Sequence, residues 1–522
     1  MIPYEYERIM DILNEAEQRF PVDRWQIEHM HVWPVIRQTL AGSFFEKQFQ
    51  KKSQGSLRIR VPFLTFSKTC FAWARASWCD RSQNVLHPCA KADVFFWTSS
   101  RARRALPDGR KYSLSYDPLI RLIQKRGLSS LMWEWAPGNE YHIPRYSPSF
   151  FIQPWLTFQL WRWRKQKADA LEVEPLEHYA DFLDFVRQYG NPTQNLEINT
   201  LISKVRRIRF FADQAKKWLK KIKPICVFTT YQGDYERVLH LACHEMGILS
   251  VKIQHGVQGD YQLDYGRWSR VPGAGFELLP KCFWSWDTPS AEAINRWAKQ
   301  CPGVHQAVVG GNVWYQEWEH IKDRGAKRQA VEEQIQTIKE NASGKTHVLV
   351  SLQPPEKIYA SGELIPDFVL EAMRVSSGKF FWWVRLHPSM SRRQRVEILH
   401  HLRAQNLKNI ELEYSTDVLL PVLLGHMDVH ATAHSTVITD AEALGIASVS
   451  WLEVSKKYFP EQYRTGRLTL AYDAQGLLSA LETQRHNKSL PAENEPLSAE
   501  RAMDQILAQA DLLKKQFEQN KT

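Results

Sequence analysis

Residues 224–256 read PICVFTTYQGDYERVLHLACHEMGILSVKIQHG. The apolar run 224–231 is typical of a buried parallel strand, and residues 233–247 follow it as a helix that Gly247 closes. Residues 248–256 return to an apolar strand that ends in a turn with glycine. A strand, a helix and a second strand in this order predict a parallel sheet that helices cover on both faces.

The same alternation extends on either side of this unit. We therefore assign residues 91–315 to one Rossmann-like lobe and residues 1–90 to an N-terminal helical extension. Within this lobe, further strands are predicted at 92–100 (ADVFFWTSS), 128–138 (LSSLMWEWAPG), 278–287 (LLPKCFWSWD) and 305–311 (HQAVVGG), and helices at 165–190, 197–222 and 288–300.

A second series of strands and helices begins after a polar, helical connector at 316–344. We assign residues 345–484 to a second Rossmann-like lobe and 485–522 to a C-terminal helix, which the sequence places at 497–518. In the second lobe the predicted strands are 346–353, 379–388, 409–414, 427–436 and 446–452, the last of which closes the sheet. The predicted fold class is thus α/β, with two Rossmann-like lobes facing a cleft and extra helices at the N-terminus.

Composition narrows the class of protein. The 522 residues are 43% hydrophobic and 24% charged, as in ordinary globular domains. Seven cysteines, an odd number without CxxC spacing, do not suggest a disulfide framework and favour a reducing cytoplasm. Cys79, His87 and Cys89 permit a metal site, but without a second pair nearby we prefer packed thiols. We find neither a signal peptide at the start nor an apolar window of membrane-spanning length.

The net charge of +11 favours an anionic partner, which is nucleic acid, anionic lipid or a phosphate-bearing substrate. Two segments, 44–60 (FFEKQFQKKSQGSLRIR) and 155–167 (WLTFQLWRWRKQK), mix aromatic with basic residues. This composition is typical of a surface that lies at the headgroups of a membrane. A helix that packs on a core and exposes a basic face would have the same composition.

Polar residues at the ends of the predicted strands are the candidate site, because open parallel sheets bind ligands there. The first group is QHGVQGD, residues 254–260. His255 titrates near neutral pH and can take a proton from an attacking hydroxyl, and Asp260, Asp234 and Glu236 are rival bases. A histidine with a purely structural role in the turn is the alternative.

The second group is RLHP, in which Arg385 and His387 can neutralise a phosphate and Pro388 fixes the loop. A solvated strand end is the alternative interpretation of this group.

The third group is AHSTVITDAEALG, residues 433–445. Ser435 and Thr436 stand where a helix should begin, and hydroxyls with free N–H groups bind phosphate there. Glu442, further along the same helix, can accept ribose hydroxyls. Plain N-capping explains Ser435 equally well.

The order of these motifs resembles the GT-B transferases that make bacterial surface polysaccharides: the polysialyltransferases, the capsule Kdo transferases and the teichoic-acid glycerophosphotransferases. The resemblance covers roughly residues 224–452. It implies a GT-B fold, His387 on the donor phosphate, and His255 as the base. It also implies that Ser435 and Thr436 match a serine pair on the same phosphate and that Glu442 binds ribose. The acidic-acidic-glycine motif of the polysialyltransferases is missing, and GDYE at 233–236 is the nearest segment.

VVGGNVW at 308–314 also resembles the turn that closes the first lobe of this fold. We count its Gly310 and Gly311, together with His434, among the candidates for donor binding.

The expected function is therefore transfer of a sugar from a nucleotide-activated donor, a CMP- or other NDP-sugar, to a bacterial surface polysaccharide such as capsule or lipopolysaccharide, or to a lipid-linked acceptor. No DxD triplet follows a predicted strand, so we expect neither a metal nor another cofactor. We expect a cytoplasmic enzyme with the inner-membrane surface as a further partner. The alternatives are an enzyme like the nucleotide-sugar 2-epimerases and their hydrolase relatives, and a non-catalytic nucleic-acid-binding protein. The latter is disfavoured because known nucleic-acid motifs are missing.

Overall fold

A computed structural model of the chain describes residues 3–49, 89–100, 103–106, 108–136, 143–165, 174–190, 193–316, 326–354, 363–388, 390–487 and 497–519. These residues form two compact units. The first lobe is built from Ile9–Ala105, Gly109–Trp314 and the chain from Leu497 onward, and the second mainly from Tyr315–Pro496.

The first lobe contains one large sheet, two short hairpins and the helices that cover them. Its strands are β1 (Gln26–Ile27), β2 (Met30–His31), β3 (Val94–Ser99), β4 (Arg103–Ala105), β5 (Lys111–Ser113), β6 (Ser130–Trp135), β7 (Phe150–Phe151), β8 (Cys226–Thr229), β9 (Leu249–Ile253), β10 (Cys282–Ser285) and β11 (Gln306–Val309). Its helices are α1 (Pro3–Arg19), α2 (Trp33–Phe49), α3 (Tyr116–Lys125), α4 (Gln153–Lys165), α5 (Tyr179–Gln188), α6 (Ile198–Ile222), α7 (Asp234–Met246) and α8 (Thr288–Ala298).

The large sheet is parallel throughout and has the strand order β11-β10-β9-β8-β3-β6-β7. Counted along the chain this order is 3-2-1-4-5-6-7, that of a doubly wound nucleotide-binding sheet with one strand added. The order reverses between β3 and β8. The carboxyl ends of these two strands therefore border the crevice where such sheets bind ligands.

Alternate residues of β3 explain why both faces of this sheet are covered. Phe95 and Trp97 belong to a core that also contains Trp33 of α2. Val94 and Phe96 point to the opposite face, as alternation along a strand requires.

The second lobe repeats the pattern after a helical connector. Its strands are β12 (Thr346–Leu352), β13 (Phe380–Leu386), β14 (Ile410–Glu411), β15 (Val429–Thr432), β16 (Ser448–Ser450) and β17 (Leu468–Leu470). Its helices are α9 (Ala326–Asn341), α10 (Asp367–Val375), α11 (Arg392–Ala404), α12 (Leu420–Leu424), α13 (Val437–Ala443), α14 (Ser455–Tyr458), α15 (Pro460–Arg464) and α16 (Ala474–Gln484).

The sheet of the second lobe is also parallel, in the order β14-β13-β12-β15-β16-β17. This is again 3-2-1-4-5-6, with the reversal between β12 and β15. The prediction that residues 446–452 close the sheet is wrong, because β17 pairs beyond β16 at the edge. The predicted α/β class with two Rossmann-like lobes is confirmed.

The last helix of the chain, α17 (Leu497–Gln519), belongs to the first lobe. Met503 and Ile506 lie in the core on the sheet face that Val94 and Phe96 line. Asp504 receives a hydrogen bond of 2.7 Å from Arg126 next to α3. The C-terminal segment therefore completes the cover of one face of the first sheet.

Some sequence predictions concern residues outside the described ranges. Cys79 and His87 of the possible metal site lie there, as does the segment 44–60 beyond Phe49. The described cysteines are free thiols, and all but Cys89 are buried. Within the described ranges, each helix is either too short or too polar to cross a bilayer.

Candidate functional site

Glu236 lies at the reversal point of the first sheet, in the first turn of α7. Its side chain is 1% exposed and faces the indole N–H groups of Trp97 and Trp135. Burial raises the pKa of Glu236 above its usual range, against the opposing influence of the indoles and of Lys252. The Oε1 atom has no close hydrogen-bond partner among the described residues. A buried carboxyl group thus sits where the fold places its ligands.

His240 lies one helical turn beyond Glu236, on the same face of α7. It is buried, and neither ring nitrogen has a hydrogen-bond partner among the described residues. Burial lowers its pKa to about 3, and Lys252 and Arg237 act in the same direction. This imidazole is therefore neutral at physiological pH.

The two other predicted acids are engaged in ion pairs. Asp234 binds Arg207 and lies 3.3 Å from Arg237. Burial would raise the pKa of Asp234, but the cations outweigh burial and the pKa is lowered. Asp260 accepts two hydrogen bonds from Arg296, of 2.7 and 2.9 Å. Arginine side chains therefore hold both carboxylates.

His255 follows β9, as predicted, and its side chain is exposed. Its Nδ1 lies 3.4 Å from Nζ of Lys252, and its ring packs edge-on at 5.1 Å from the ring of Tyr231. Although the side chain reaches solvent, desolvation by its surroundings lowers the pKa of His255, and the charge of Lys252 lowers it further. The exposed imidazole is therefore neutral at pH 7.

Lys252 is a feature that the sequence analysis missed. It is 3% exposed and lies within the otherwise apolar strand β9. Its Nζ donates a hydrogen bond of 3.1 Å to the carbonyl oxygen of Thr230 and lies 5.0 Å from the ring centroid of Tyr265. Burial lowers its pKa to about 8, while Asp264 and Glu236 act in the opposite direction. The signal available in the sequence was a lysine within the otherwise apolar segment LSVKI.

In the second lobe, β13 carries Arg385 to the carboxyl edge of the sheet. Its Nη1 donates hydrogen bonds of 2.6 Å to the carbonyl oxygens of Ser415 and Val418, which fix the direction of the side chain. His387 is half-buried and Pro388 exposed in the following turn. The guanidinium and the imidazole are thus brought to the same strand end, as predicted.

The loop after β15 carries the predicted hydroxyl pair at the reversal point of the second sheet. Ser435 Oγ accepts a hydrogen bond of 3.3 Å from the N–H of Val437, and Thr436 occupies the N-cap position of α13. His434 packs against Tyr458 with ring centroids 4.7 Å apart, and burial lowers its pKa to about 4. Ser435 therefore accepts one N–H at the start of α13 without being its N-cap residue, and phosphate binding by this pair stays a prediction.

Glu442 lies at the end of α13, where its Oε2 accepts a hydrogen bond of 2.6 Å from Gln462 of α15. The carboxylate also faces Arg467, whose pKa burial lowers and Glu442 raises. The structure thus anchors Glu442 on the helix that begins at the hydroxyl pair.

Asp440 is a second residue that the sequence analysis missed. It lies on α13 between the hydroxyl pair and Glu442, and it interacts with Tyr315 and Arg385. Burial raises its pKa to about 7, against the hydrogen bond from Tyr315 and the charge of Arg385. Its place on the same short helix as Glu442, directly after the hydroxyl pair, was the available signal.

Gly310 and Gly311 follow β11 in the first lobe rather than the second. A Cβ atom on Gly310 would overlap the indole of Trp284. The carbonyl of Gly311 accepts a hydrogen bond of 2.9 Å from Trp284 Nε1, and its φ is +74°. Packing alone explains both glycines, so their part in donor binding stays a prediction.

No family model matches the chain. No curated protein matches it either. Solved structures do resemble it: the UDP-GlcNAc 2-epimerase from Neisseria meningitidis bound to UDP-GlcNAc is 14% identical with a TM-score of 0.45, and covers 80% of this chain and 98% of its own. The Methanocaldococcus jannaschii UDP-GlcNAc 2-epimerase in complex with UDP-GlcNAc and UDP is 12% identical with a TM-score of 0.49, and covers 80% and 99%. The UDP-N-acetylglucosamine 2-epimerase from Rickettsia bellii is 14% identical with a TM-score of 0.47, and covers 81% and 98%. At these values the likeness does not carry an activity to this chain.

Proposed function

We propose that this protein is a glycosyltransferase that moves a sugar from a nucleotide-activated donor to a bacterial surface polysaccharide or lipid-linked acceptor. The observation that carries the proposal is the placement of ionisable residues at the carboxyl edge of both sheets. The second lobe places Arg385 and His387 beside the reversal point, at which Ser435 and Thr436 lie. Doubly wound sheets bind nucleotides at this position.

The second lobe suits the leaving group of such a reaction. Arg385 and His387 supply charge and a hydrogen-bond donor for phosphate, and Pro388 stiffens their turn. Ser435, Thr436 and the first N–H groups of α13 lie at the reversal point of the same sheet and are the proposed further contacts to the phosphate, and Glu442 is the proposed partner for ribose hydroxyls. We propose that His434, within this loop, helps to orient it through its packing against Tyr458.

The first lobe supplies the base. An acceptor oxygen forms a bond to the anomeric carbon while the bond from that carbon to the donor phosphate breaks, and the bonding electrons leave with the phosphate. The acceptor proton passes to His255 or to Glu236. Asp234 and Asp260 are weaker candidates because arginines hold them. The reaction as proposed needs no metal or other cofactor, because side chains of the second lobe neutralise the phosphate.

A membrane surface is the proposed location of the acceptor. On α4, Phe158 and Trp161 are 40% and 49% exposed and stack with centroids 5.9 Å apart. Lys165 Nζ lies 4.0 Å from the ring centroid of Trp161. Exposed aromatic rings beside cations match a surface that enters the headgroup layer of an anionic bilayer.

Flotation with anionic vesicles tests this location. Trp161→Ala should weaken binding to phosphatidylglycerol vesicles about tenfold at low salt and less as salt rises. The matched control is Val396→Ala on α11, which removes an exposed apolar residue elsewhere. Equal binding of the wild-type protein to neutral and anionic vesicles would contradict the proposal.

The proposal is tested first by a thermal-shift panel of CMP, CDP, UDP, GDP and ADP. We expect one nucleotide to raise Tm clearly, because a ligand that binds only the folded state stabilises it. The nucleotide that raises Tm identifies the donor class. If none of the five nucleotides shifts Tm, the proposal is overturned.

Product analysis with the matching nucleotide sugar alone separates transfer from the alternative reaction. Donor that stays intact until an acceptor polysaccharide is added supports a transferase. Release of an epimerised or free sugar without acceptor would instead support an enzyme like the nucleotide-sugar 2-epimerases.

A further inference from the structure

Lys252 is an unusual residue for its position. All five residues of β9 are buried, and Lys252 places an ammonium group among them. Desolvating an ammonium group is costly unless other groups compensate for the lost water. Its Nζ has a carbonyl partner in Thr230, an aromatic face in Tyr265, and the imidazole of His255 at 3.4 Å.

The contact with His255 has a direction. An ammonium group has three N–H donors and no acceptor, so at this contact Nζ donates and Nδ1 of the imidazole accepts. A neutral imidazole that accepts at Nδ1 carries its proton on Nε2. The second ring nitrogen of the exposed side chain is then a hydrogen-bond donor.

We infer that Lys252 is a positioning residue that fixes His255 as an Nε2–H hydrogen-bond donor toward the substrate. The catalytic role assigned to His255 in this inference rests on the proposed function, but the contact between Lys252 and His255 does not. A ring with its proton on Nε2 does not accept a proton there. His255 then stabilises an oxygen that gains negative charge, and the acceptor proton goes to a carboxylate. Of the three predicted acids, Glu236 is the one with no ion-pair partner among the described residues.

The charges around Lys252 support the ammonium form at neutral pH. Asp264 and Glu236 favour it, while burial disfavours it and leaves the pKa at about 8. His240 and His255 also face Lys252, and its charge lowers the pKa of each. The ammonium form therefore dominates at pH 7, and above about pH 8 a neutral amine no longer imposes the tautomer.

The first test is NMR on the full-length protein labelled with ¹⁵N-histidine. The signals of His255 are assigned by their loss in His255→Gln. We expect a ring with Nε2 protonated and Nδ1 unprotonated at pH 7, and a change in the signals as pH rises through about 8. A ring protonated on Nδ1 at pH 7 would overturn the inference, and the wild-type protein suffices for this measurement.

The second test removes the ammonium group. In Lys252→Met the pKa of His255 should rise but stay below the ordinary value of about 6.5, because desolvation remains, and the tautomers should mix. Lys252→Arg should keep the tautomer of the wild type, because a guanidinium also only donates. Lys281→Met, a change at another lysine with a lowered pKa in the same lobe, should leave His255 unchanged. Unaltered His255 signals in Lys252→Met would also overturn the inference.

Turnover separates the role of His255 from the proposed function. Glutamine keeps an N–H donor but not a base, so His255→Gln should retain transfer within about tenfold while His255→Ala loses about 100-fold or more. Equal losses in both variants would contradict the donor role. The NMR measurements need no nucleotide, so a failed nucleotide panel would refute the proposed function without touching the Lys252 contact.

Discussion

The two lobes share one strand order, but the ionisable residues at their reversal points have different surroundings. In the first lobe, Glu236 is enclosed by indoles and leaves one oxygen without a partner, and the lysine near it is buried within a strand. In the second lobe, Arg385 is fixed by two backbone carbonyls, and Asp440 is hydrogen-bonded to Tyr315. Desolvated groups with shifted pKa values suit proton transfer, whereas fixed cations suit binding of an anion.

The difference also separates two kinds of acid. Burial raises the pKa of both Glu236 and Asp440. Only Asp440 has both a hydrogen-bonding phenol and a nearby arginine, and we therefore assign it to holding Arg385 in place. Glu236 faces two indole N–H groups and the charge of Lys252, but it forms no ion pair among the described residues, which favours a chemical role. Each prediction below tests one side of this contrast.

The largest effect is expected in the second lobe. His387→Ala should lower transfer about 1,000-fold, because a lost donor to a developing negative charge typically costs that much in rate. It should also reduce the thermal shift by the preferred nucleotide while circular dichroism stays unchanged. His400→Ala on α11, an exposed histidine of the same lobe, is the control. Unchanged turnover in His387→Ala would remove the second lobe from the proposed chemistry.

The next effect compares two acids on α7. Glu236→Gln should lower transfer about 100-fold with little loss of stability, because an amide avoids the cost of a buried charge. Asp234→Asn should instead lower Tm, since it leaves Arg207 and Arg237 without their partner. Its transfer rate per folded molecule should stay near that of the wild type. If the two variants exchanged these behaviours, the base would be Asp234.

A smaller effect should appear in the pH dependence of stability. The carboxyl of Asp440 has a folded-state pKa of about 7 against an ordinary 3.8, so its protonated form favours the folded state. This contribution is complete below about pH 4 and is lost as pH rises through 7. Asp440→Asn should therefore gain stability relative to the wild type as pH rises from 4 to 8, by up to about 4 kcal/mol for a shift of about three pKa units. Urea unfolding at both pH values measures this, and a constant difference would show that Asp440 does not titrate in this range.

The sequence predicted the sheets better than the sites. Strands such as β3 and β12 are buried on both faces, so continuous apolar runs such as VFFWTS and THVLVSL identify them without knowledge of the fold. Strand β17 was not predicted because it has three residues and lies at the edge of the sheet, where two of its side chains are only half-buried. Burial in such a strand is too weak to impose an apolar run.

The sites were harder because their chemistry depends on burial and on neighbours distant in sequence. The sequence analysis found His255 from its position after a strand. It missed the contact with Lys252 because that lysine lies within the apolar strand itself. The sequence proposed three carboxylates as equal rivals, and only the structure shows arginines on Asp234 and Asp260. Asp440 stayed hidden because its partner Tyr315 lies more than 100 residues earlier in the chain.

The smallest expected effect distinguishes the two interpretations of Ser435. The hydroxyl accepts a hydrogen bond of 3.3 Å from the N–H of Val437, so Ser435→Ala should cost about 1 kcal/mol of stability whether or not phosphate binds there. If the hydroxyl also contacts the donor, the Kd for the preferred nucleotide should rise about tenfold, whereas the contact with Val437 alone leaves it unchanged. Asp473→Ala, which removes the N-cap hydrogen bond of α16 in the same lobe, is the matched control for stability. Titration calorimetry on both variants measures affinity, and equal affinities would reduce the phosphate site of the second lobe to Arg385, His387 and the backbone of the loop.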